Sequence, residues 1–413
     1  MVRPFMLAGA LGLYAVLGTP TPDRLGIIEL LVGGGLLVAA GRSAIWQVIG
    51  TGRLCPGQPF FTLNARLLLF WGLTVPVLVA LVAGHDTGLI LRDLVAFLFL
   101  LLPLFLWPCL DDWPNAERLF PWLLCAVGVV YAVRVVGAVT LNHGALSWPT
   151  GYITDPANLL NAPTALWALL YLTGMGGWLL IRASTVRSFQ LAAVCFLLVF
   201  LLLAGMGAIG QRAHIGAWGL AVLLWSGALL WRRPWALGRL LWLGLPLLLV
   251  LGLSVSELMA GLLEKQALVG MNNRLEEARV VVESFHDRPW ALLLGQGWGA
   301  SIVSPAVGPY PVNYTHSLFT TYLLKTGLIG LMLVGGYLLV LAAGIWRILW
   351  VFPVGGVALA APFLIDISLY ASFKTLDFGL LLALIVLWTK SCQHPRQSCQ
   401  NTLGWCMQDK YPE

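Results

Sequence analysis

Charge is what this chain has least of. Asp, Glu, Lys and Arg make up 10% of its 413 residues while 59% are hydrophobic, and a soluble protein of that size could not cover so much apolar surface. Ten-residue segments of alternating hydrophobicity, the mark of an outer-membrane barrel, are also missing; the apolar runs have helix length instead. Inside lipid only helices and closed barrels satisfy their own backbone polar groups. The expected fold class is therefore all-α and polytopic. Net charge is +6, yet no basic tract with interleaved aromatics exists to hold nucleic acid.

With about twenty apolar residues taken as one span, twelve spans are expected, at 5–19, 25–41, 67–83, 91–108, 120–141, 161–181, 188–209, 215–231, 240–255, 317–345, 353–370 and 375–389. The N-terminal MVRPFMLAGALGLYAVLG resembles a signal peptide, but a second span follows at once, so it reads as a retained first helix. No soluble domain is expected on either side of this single transmembrane domain, 1–413, whose tail 390–413 is expected in the cytoplasm. With the N-terminus inside, the inside loops collect Arg42, Arg53, Arg66, Arg182, Arg187, Arg232, Arg233, Arg239, Arg347, Lys390 and Arg396, and the outside turns are poor in Lys and Arg.

Cysteine is absent from the outside loops. Cys55, Cys109, Cys392, Cys399 and Cys406 fall on inside segments, and Cys125 and Cys195 fall within spans, so no disulfide is expected. The seven-residue recurrence of the tail cysteines beside His394 lacks the close pair of a zinc site. Histidine behaves oppositely: His85, His143, His214, His286 and His316 all map to the outside or its edges. Chemistry is to be sought on that face.

One connection there is long. Residues 256–316 separate the ninth and tenth spans, and loops of this length are usually functional. Two amphipathic helices are expected in it, at 257–266 and 272–289, the second with Leu275, Ala278, Val281 and Val282 on one face. Asn272 or Asn273 can cap the second helix, Glu276 and Glu277 suit its N-terminal end, and Pro289 stops it. A glycine-rich turn, LLLGQGWGASIVSP, follows.

Several residues could carry chemistry. Arg212 sits in the outside turn GMGAIGQRAHIGAW, where the charge bias would exclude it. It reads either as a headgroup anchor or as a guanidinium held to grip a phosphate or diphosphate. Pairing three or four residues apart with Glu276, Glu277 and Glu283 would make much of the loop helix's charge a solvated helix face; Arg279 fits that well, whereas Arg274, near the helix N-terminus where the dipole disfavours a cation, fits it less well. His316 reads as an interfacial polar residue or as a base for a sugar hydroxyl near neutral pH. A metal there would need partners, and no HxxxH, HExxH or carboxylate cluster is nearby. Asp86 and Asp93 are a weak candidate for a metal-dependent carboxylate pair. Lys325, Asp366, Arg134 and Glu29 lie within spans and must face protein or a wet cavity; sequence does not tell which of them pair.

Taken together, the Arg212 turn, the loop NNRLEEARVVVESFHDRPWALLLGQGWG and the segment THSLFTTYLLKTGLIGL in a twelve-span chain resemble the O-antigen ligase and polymerase superfamily, most closely the lipopolysaccharide O-antigen ligase. The resemblance is specific over about 70 residues, and topology carries the remainder. It implies a GT-C-like glycosyltransferase in the bacterial inner membrane. Such an enzyme moves a glycan from undecaprenyl diphosphate to a lipid A-core sugar at the periplasmic face, with no metal or other cofactor.

On this resemblance the catalytic residues are Arg212, Arg274 and His316. Arg279, Arg288, His286, Tyr314, Asn313 and His214 become candidate substrate contacts. Membrane lipids and the two lipid-linked substrates are the implied partners. The family's leucine four residues after the turn arginine is Gly216 here, with His214 between. Polymerases of the superfamily carry paired Arg-x10-Gly loops; Arg288 and Gly299 have that spacing once, which favours the ligase. The small-residue helices 205–220 and 327–336 suit the walls of a lipid-lined cavity. A transporter using Lys325, Asp366 and Arg134 is the alternative from another class, and it predicts an internal repeat that is not visible.

Overall fold

The computed structural model describes residues 2–20, 26–50, 58–142, 146–147, 153–154, 156–181, 185–232, 273–305, 308 and 310–393. The helices are α1 (Val2–Leu17), α2 (Ile27–Ala40), α3 (Arg42–Val48), α4 (Pro59–Ala83), α5 (Thr87–Leu100), α6 (Leu102–Asp111), α7 (Ala116–Asn142) and α8 (Pro156–Leu160). They continue as α9 (Pro163–Ile181), α10 (Val186–Ala208), α11 (Arg212–Arg232), α12 (Asn273–Glu283), α13 (Ala291–Leu294), α14 (Leu318–Val351), α15 (Pro353–Ser368) and α16 (Leu376–Gln393). A 3-10 turn, Ala371–Lys374, joins the last two. Two small antiparallel pairs interrupt the helices: β1 (Leu146–Ser147) with β2 (Ile153–Thr154), and β3 (Ile302–Val303) with β4 (Pro311–Val312), the latter with Ile302 opposite Val312.

By length and composition seven helices among the described residues can cross a membrane, namely α4, α7, α9, α10, α11, α14 and α16, and the bent pair α5 and α6 adds an eighth if it is one span. Helices α1, α2 and α15 are apolar but shorter. These helices fall on every expected span except the ninth, 240–255, which lies outside the described residues. Phe70, Leu197, Leu223 and Leu339 point outward from four of the long helices. Water would not tolerate so much outward apolar surface on adjoining helices, and hydrocarbon would.

The fourth expected span is not a straight helix. It bends by 44° between α5 and α6. Pro103 in the first turn of α6 has no N–H for the Phe99 carbonyl, so the ladder breaks there. Gly379 of α16 packs against that same carbonyl so closely that a Cβ would lie 2.1 Å from the Phe99 oxygen.

Helix α16 is the centre of the bundle, with Leu380, Leu381, Leu382, Leu384 and Ile385 shut off from the surface. Its buried Asp377 accepts hydrogen bonds from the Tyr14 hydroxyl of α1 and the Thr164 hydroxyl of α9, tying three helices at one level. Among the described residues Arg134 of α7 pairs with no carboxylate; it donates to the carbonyls of Ala15 and Gly18 at 2.9 and 2.8 Å, the free end of α1. Glu29 accepts from the Gly26 N–H at the start of α2, and Asp366 accepts from the Ser372 hydroxyl. At the opposite end of the bundle, Lys390 pairs with Asp111, Arg3 lies 3.9 Å from Asp112, and Ser391 donates to Glu117 at 2.9 Å. That is the end expected inside.

The long loop differs from expectation in its second helix. The first expected helix, 257–266, lies outside the described residues, as does Asn272. The second stops at Glu283, before Pro289, because Gln296 returns to donate to both the carbonyl and the hydroxyl of Ser284 at 3.0 and 2.9 Å. Its buried face is also rotated. Glu277, Val281 and Phe285, spaced by four, turn inward, while Leu275 and Val282 stay exposed. Hydrophobicity alone misassigned the face, since the inward carboxylate is fully hydrogen-bonded and so is tolerated in burial.

Candidate functional site

The glycine-rich turn is what fixes the loop to the bundle. Gly327 has φ 66° and breaks α14, so the carbonyls one turn earlier lose their helical donors. The Gln296 N–H donates to the Leu324 carbonyl at 2.8 Å, and the Gly297 N–H to the Lys325 carbonyl at 3.0 Å. Pro76 inside α4 leaves the Gly72 carbonyl without its partner in the same way; the Trp298 indole N–H takes it at 2.7 Å. The Trp298 backbone N–H donates to the Pro76 carbonyl at 3.2 Å, and the Trp298 carbonyl meets Nδ1 of His85 at 2.8 Å.

Beneath this turn Asp93 pairs with Lys325 and accepts from the Gly299 N–H at 2.7 Å. The intramembrane lysine is thus matched from α5, not by Asp366. Asp86 caps α5 by accepting from the Leu89 N–H at 3.0 Å. Asp86 and Asp93 therefore both have structural partners, and among the described residues no group of His, Cys, Asp and Glu could hold a metal ion.

Backbone approach here leaves no room for a side chain. A Cβ on Gly327 would lie 2.2 Å from the Leu293 carbonyl oxygen. Gly327→Ala is expected to cost about 1–2 kcal/mol for the left-handed backbone and about 1–3 kcal/mol for the clash. Protease sensitivity of the loop should rise while helical circular dichroism is kept; an unchanged digestion pattern would contradict the docking role.

On this platform α12 and the segment before α14 meet. Thr315 is pinned by hydroxyl contacts to Thr320 and Thr321 at 2.6 and 2.7 Å, which shapes the turn that presents His316. Glu277 of α12 faces that turn and is 2% exposed. It accepts from the His316 backbone N–H at 2.9 Å, lies 3.2 and 3.3 Å from His316 Nδ1 through its two oxygens, and accepts from the Ser304 hydroxyl beside β3. Burial raises the Glu277 carboxyl, but the hydrogen bonds from His316 and Ser304 outweigh it and hold it below the ordinary value. Tyr314 stands edge-on to the His316 ring at 5.9 Å.

Arg274 lies one turn before Glu277 on α12, and its guanidinium donates to the Leu369 carbonyl. The next residue, Tyr370, reaches the Arg212 turn: its hydroxyl is 3.4 Å from the Gln211 side-chain oxygen, and its ring lies 5.7 Å from that of His214. Burial pushes the Tyr370 phenol up, while the positive charges of Arg274 and Arg212 both act on it in the opposite sense. Arg212 itself, at the start of α11, is half-buried and forms no ion pair among the described residues.

Four residues further on, Lys374 sits 5.0 Å from the centre of the Tyr314 ring and donates to the Asn313 carbonyl at 3.4 Å. Segment 369–374 therefore touches the Arg274 helix, the Arg212 turn and the His316 turn in succession.

Burial, with repulsion from Lys325 and Arg92, pushes Lys374 down to about 7 although Asp93 opposes the shift. The unfolded chain then binds more protons than the folded one above that value. Stability is expected to rise with pH from about 7 towards the ordinary lysine range, and Lys374→Met should abolish that slope. Unfolding followed in detergent across this range checks it; a wild-type slope retained in the variant would assign the proton elsewhere.

Of the residues singled out from sequence, His316, Arg274, Tyr314 and Asn313 are gathered in one cluster, and Arg212 and His214 adjoin it through Tyr370. His214 is fully buried behind the turn, with neither ring nitrogen hydrogen-bonded among the described residues. Arg279 is exposed and lies 3.5 Å from Glu276, the pairing expected of a solvated helix face. His286 and Arg288 are also exposed; His286 lines a shallow groove with Val282, Phe285, Pro289 and Leu292, apart from the His316 turn. Sequence reading missed that Glu277, Ser304, Tyr370 and Lys374 join this cluster. Glu277 had a visible signal, a carboxylate on the inward spacing of Val281 and Phe285.

Fold and site define an almost entirely helical, multi-pass membrane protein with a cationic and imidazole-bearing cluster at one end. No protein-family model matches the chain, and no curated protein matches it significantly.

Proposed function

We propose that this protein is a metal-independent glycosyltransferase that moves an undecaprenyl-diphosphate-linked glycan, an O-antigen, to a lipid A-core sugar hydroxyl at the periplasmic face of the bacterial inner membrane, through twelve spans of GT-C type. The observation that carries the reading is the convergence of His316 with Arg274 and, through Tyr370, Arg212. Diphosphate departure develops negative charge, which fixed guanidinium groups stabilise without reorganisation. The His316 imidazole takes the proton of the acceptor hydroxyl as that oxygen bonds to the anomeric carbon. The bond from that carbon to the phosphate oxygen breaks, its electron pair leaves with the lipid diphosphate, and attack from the opposite face inverts the configuration.

The charges a transporter pathway would employ are engaged elsewhere: Lys325 with Asp93, Arg134 with carbonyls, Asp366 with Ser372. A polymerase of the same superfamily would use the same site with a different acceptor. Purified protein incubated with lipid-linked glycan, with and without lipid A core, separates the two. Product only in the presence of the core supports the ligase; chain growth without it sinks that reading.

A further inference from the structure

We propose that Glu277 is the positioning residue of this site: it holds His316 as the Nδ1–H tautomer, leaves Nε2 free as the proton acceptor, and stabilises the imidazolium that results. The role as a base rests on the reading above; the tautomer does not.

The geometry is over-determined. Both carboxylate oxygens stand within 3.3 Å of Nδ1, and one of them also accepts the His316 backbone N–H at 2.9 Å. The other accepts from Ser304, so neither oxygen is left to a competing donor. A carboxylate cannot donate, hence Nδ1 must carry the hydrogen. Glu277 is 2% exposed while the His316 side chain is 21% exposed, so the ring is gripped from inside yet still reaches the surface. Arg274 precedes Glu277 by one helical turn, so α12 carries both the diphosphate grip and the imidazole clamp. Any shift of that helix would move both together.

Glu277→Gln is the sharp test. The side-chain oxygen must still accept the His316 backbone N–H, which turns the new amide NH2 towards Nδ1. That NH2 donates, forces the hydrogen onto Nε2, and removes the base while leaving shape and packing almost unchanged. In the full-length protein with 15N-labelled histidine, the His316 resonances, assigned by their loss in His316→Gln, are expected to report Nδ1–H in the wild type and Nε2–H in Glu277→Gln. With lipid-linked donor and lipid A core, kcat should fall about 10²–10⁴-fold, KM for donor should stay within about threefold, and Glu277→Asp should recover at least about tenfold of the loss.

A wild-type His316 in the Nε2–H form overturns the proposal, and that spectrum decides even if the Glu277 variants fail to fold. A folded Glu277→Gln protein with kcat within about threefold of wild type overturns it as well. If the tautomer switches as expected but the wild type transfers no glycan, the clamp stands and the transferase reading falls.

Discussion

His316→Ala is expected to lower kcat for glycan transfer by about 10²–10⁴-fold, with KM for the lipid-linked donor nearly unchanged. The donor's diphosphate is assigned to Arg212 and Arg274, and neither depends on the imidazole for its position; Arg274 is held by the Leu369 carbonyl. The acceptor hydroxyl, in contrast, would lose the base assigned to it. Arg274→Ala should show the complementary pattern, with weaker donor binding as well as slower turnover, because a charge that stabilises the leaving group also contacts it in the ground state. Kinetics with purified variants of unchanged elution profile check both. Should His316→Ala retain wild-type kcat, the imidazole has no part in the chemistry.

Lys325→Met is expected to destabilise the protein by about 3–5 kcal/mol, the cost of leaving one member of a buried ion pair alone. Lys325 and Asp93 side chains are 1% and 3% exposed, and with the lysine gone Asp93 keeps the Gly299 N–H as its one hydrogen-bond donor among the described residues. The glycine turn stands on that carboxylate, so loss of stability should begin there and spread to the His316 turn through α14. The double variant Lys325→Met with Asp93→Asn removes the stranded charge while keeping an acceptor for Gly299, and should recover at least half of the loss. Denaturation in detergent measures the difference. Equal stability of the single and double variants would mean that the pair is not what anchors the turn.

The two predictions bear on different parts of one device. Pairing of Lys325 with Asp93 and the broken helix at Gly327 hold the loop down, and the loop in turn carries α12 to the His316 turn. Chemistry is assigned to the exposed edge of that assembly and rigidity to its buried base, which is how a precise site can rest on a long connection.

What the sequence determined by itself was the helical, membrane-crossing class and, along the described residues, where the long apolar helices fall. Those features are local: hydropathy over about twenty residues is written along the chain and needs no partner. Tertiary structure decided the partnerships. Glu277 meets His316 across 39 residues, Tyr370 meets Gln211 across 159, and Lys325 meets Asp93 across 232. Local pattern even pointed the wrong way for α12, because a carboxylate reads as solvent-facing until the donors that surround it are known. Burial of a charged group depends on groups brought from elsewhere in the fold, and no periodicity in one helix carries that information.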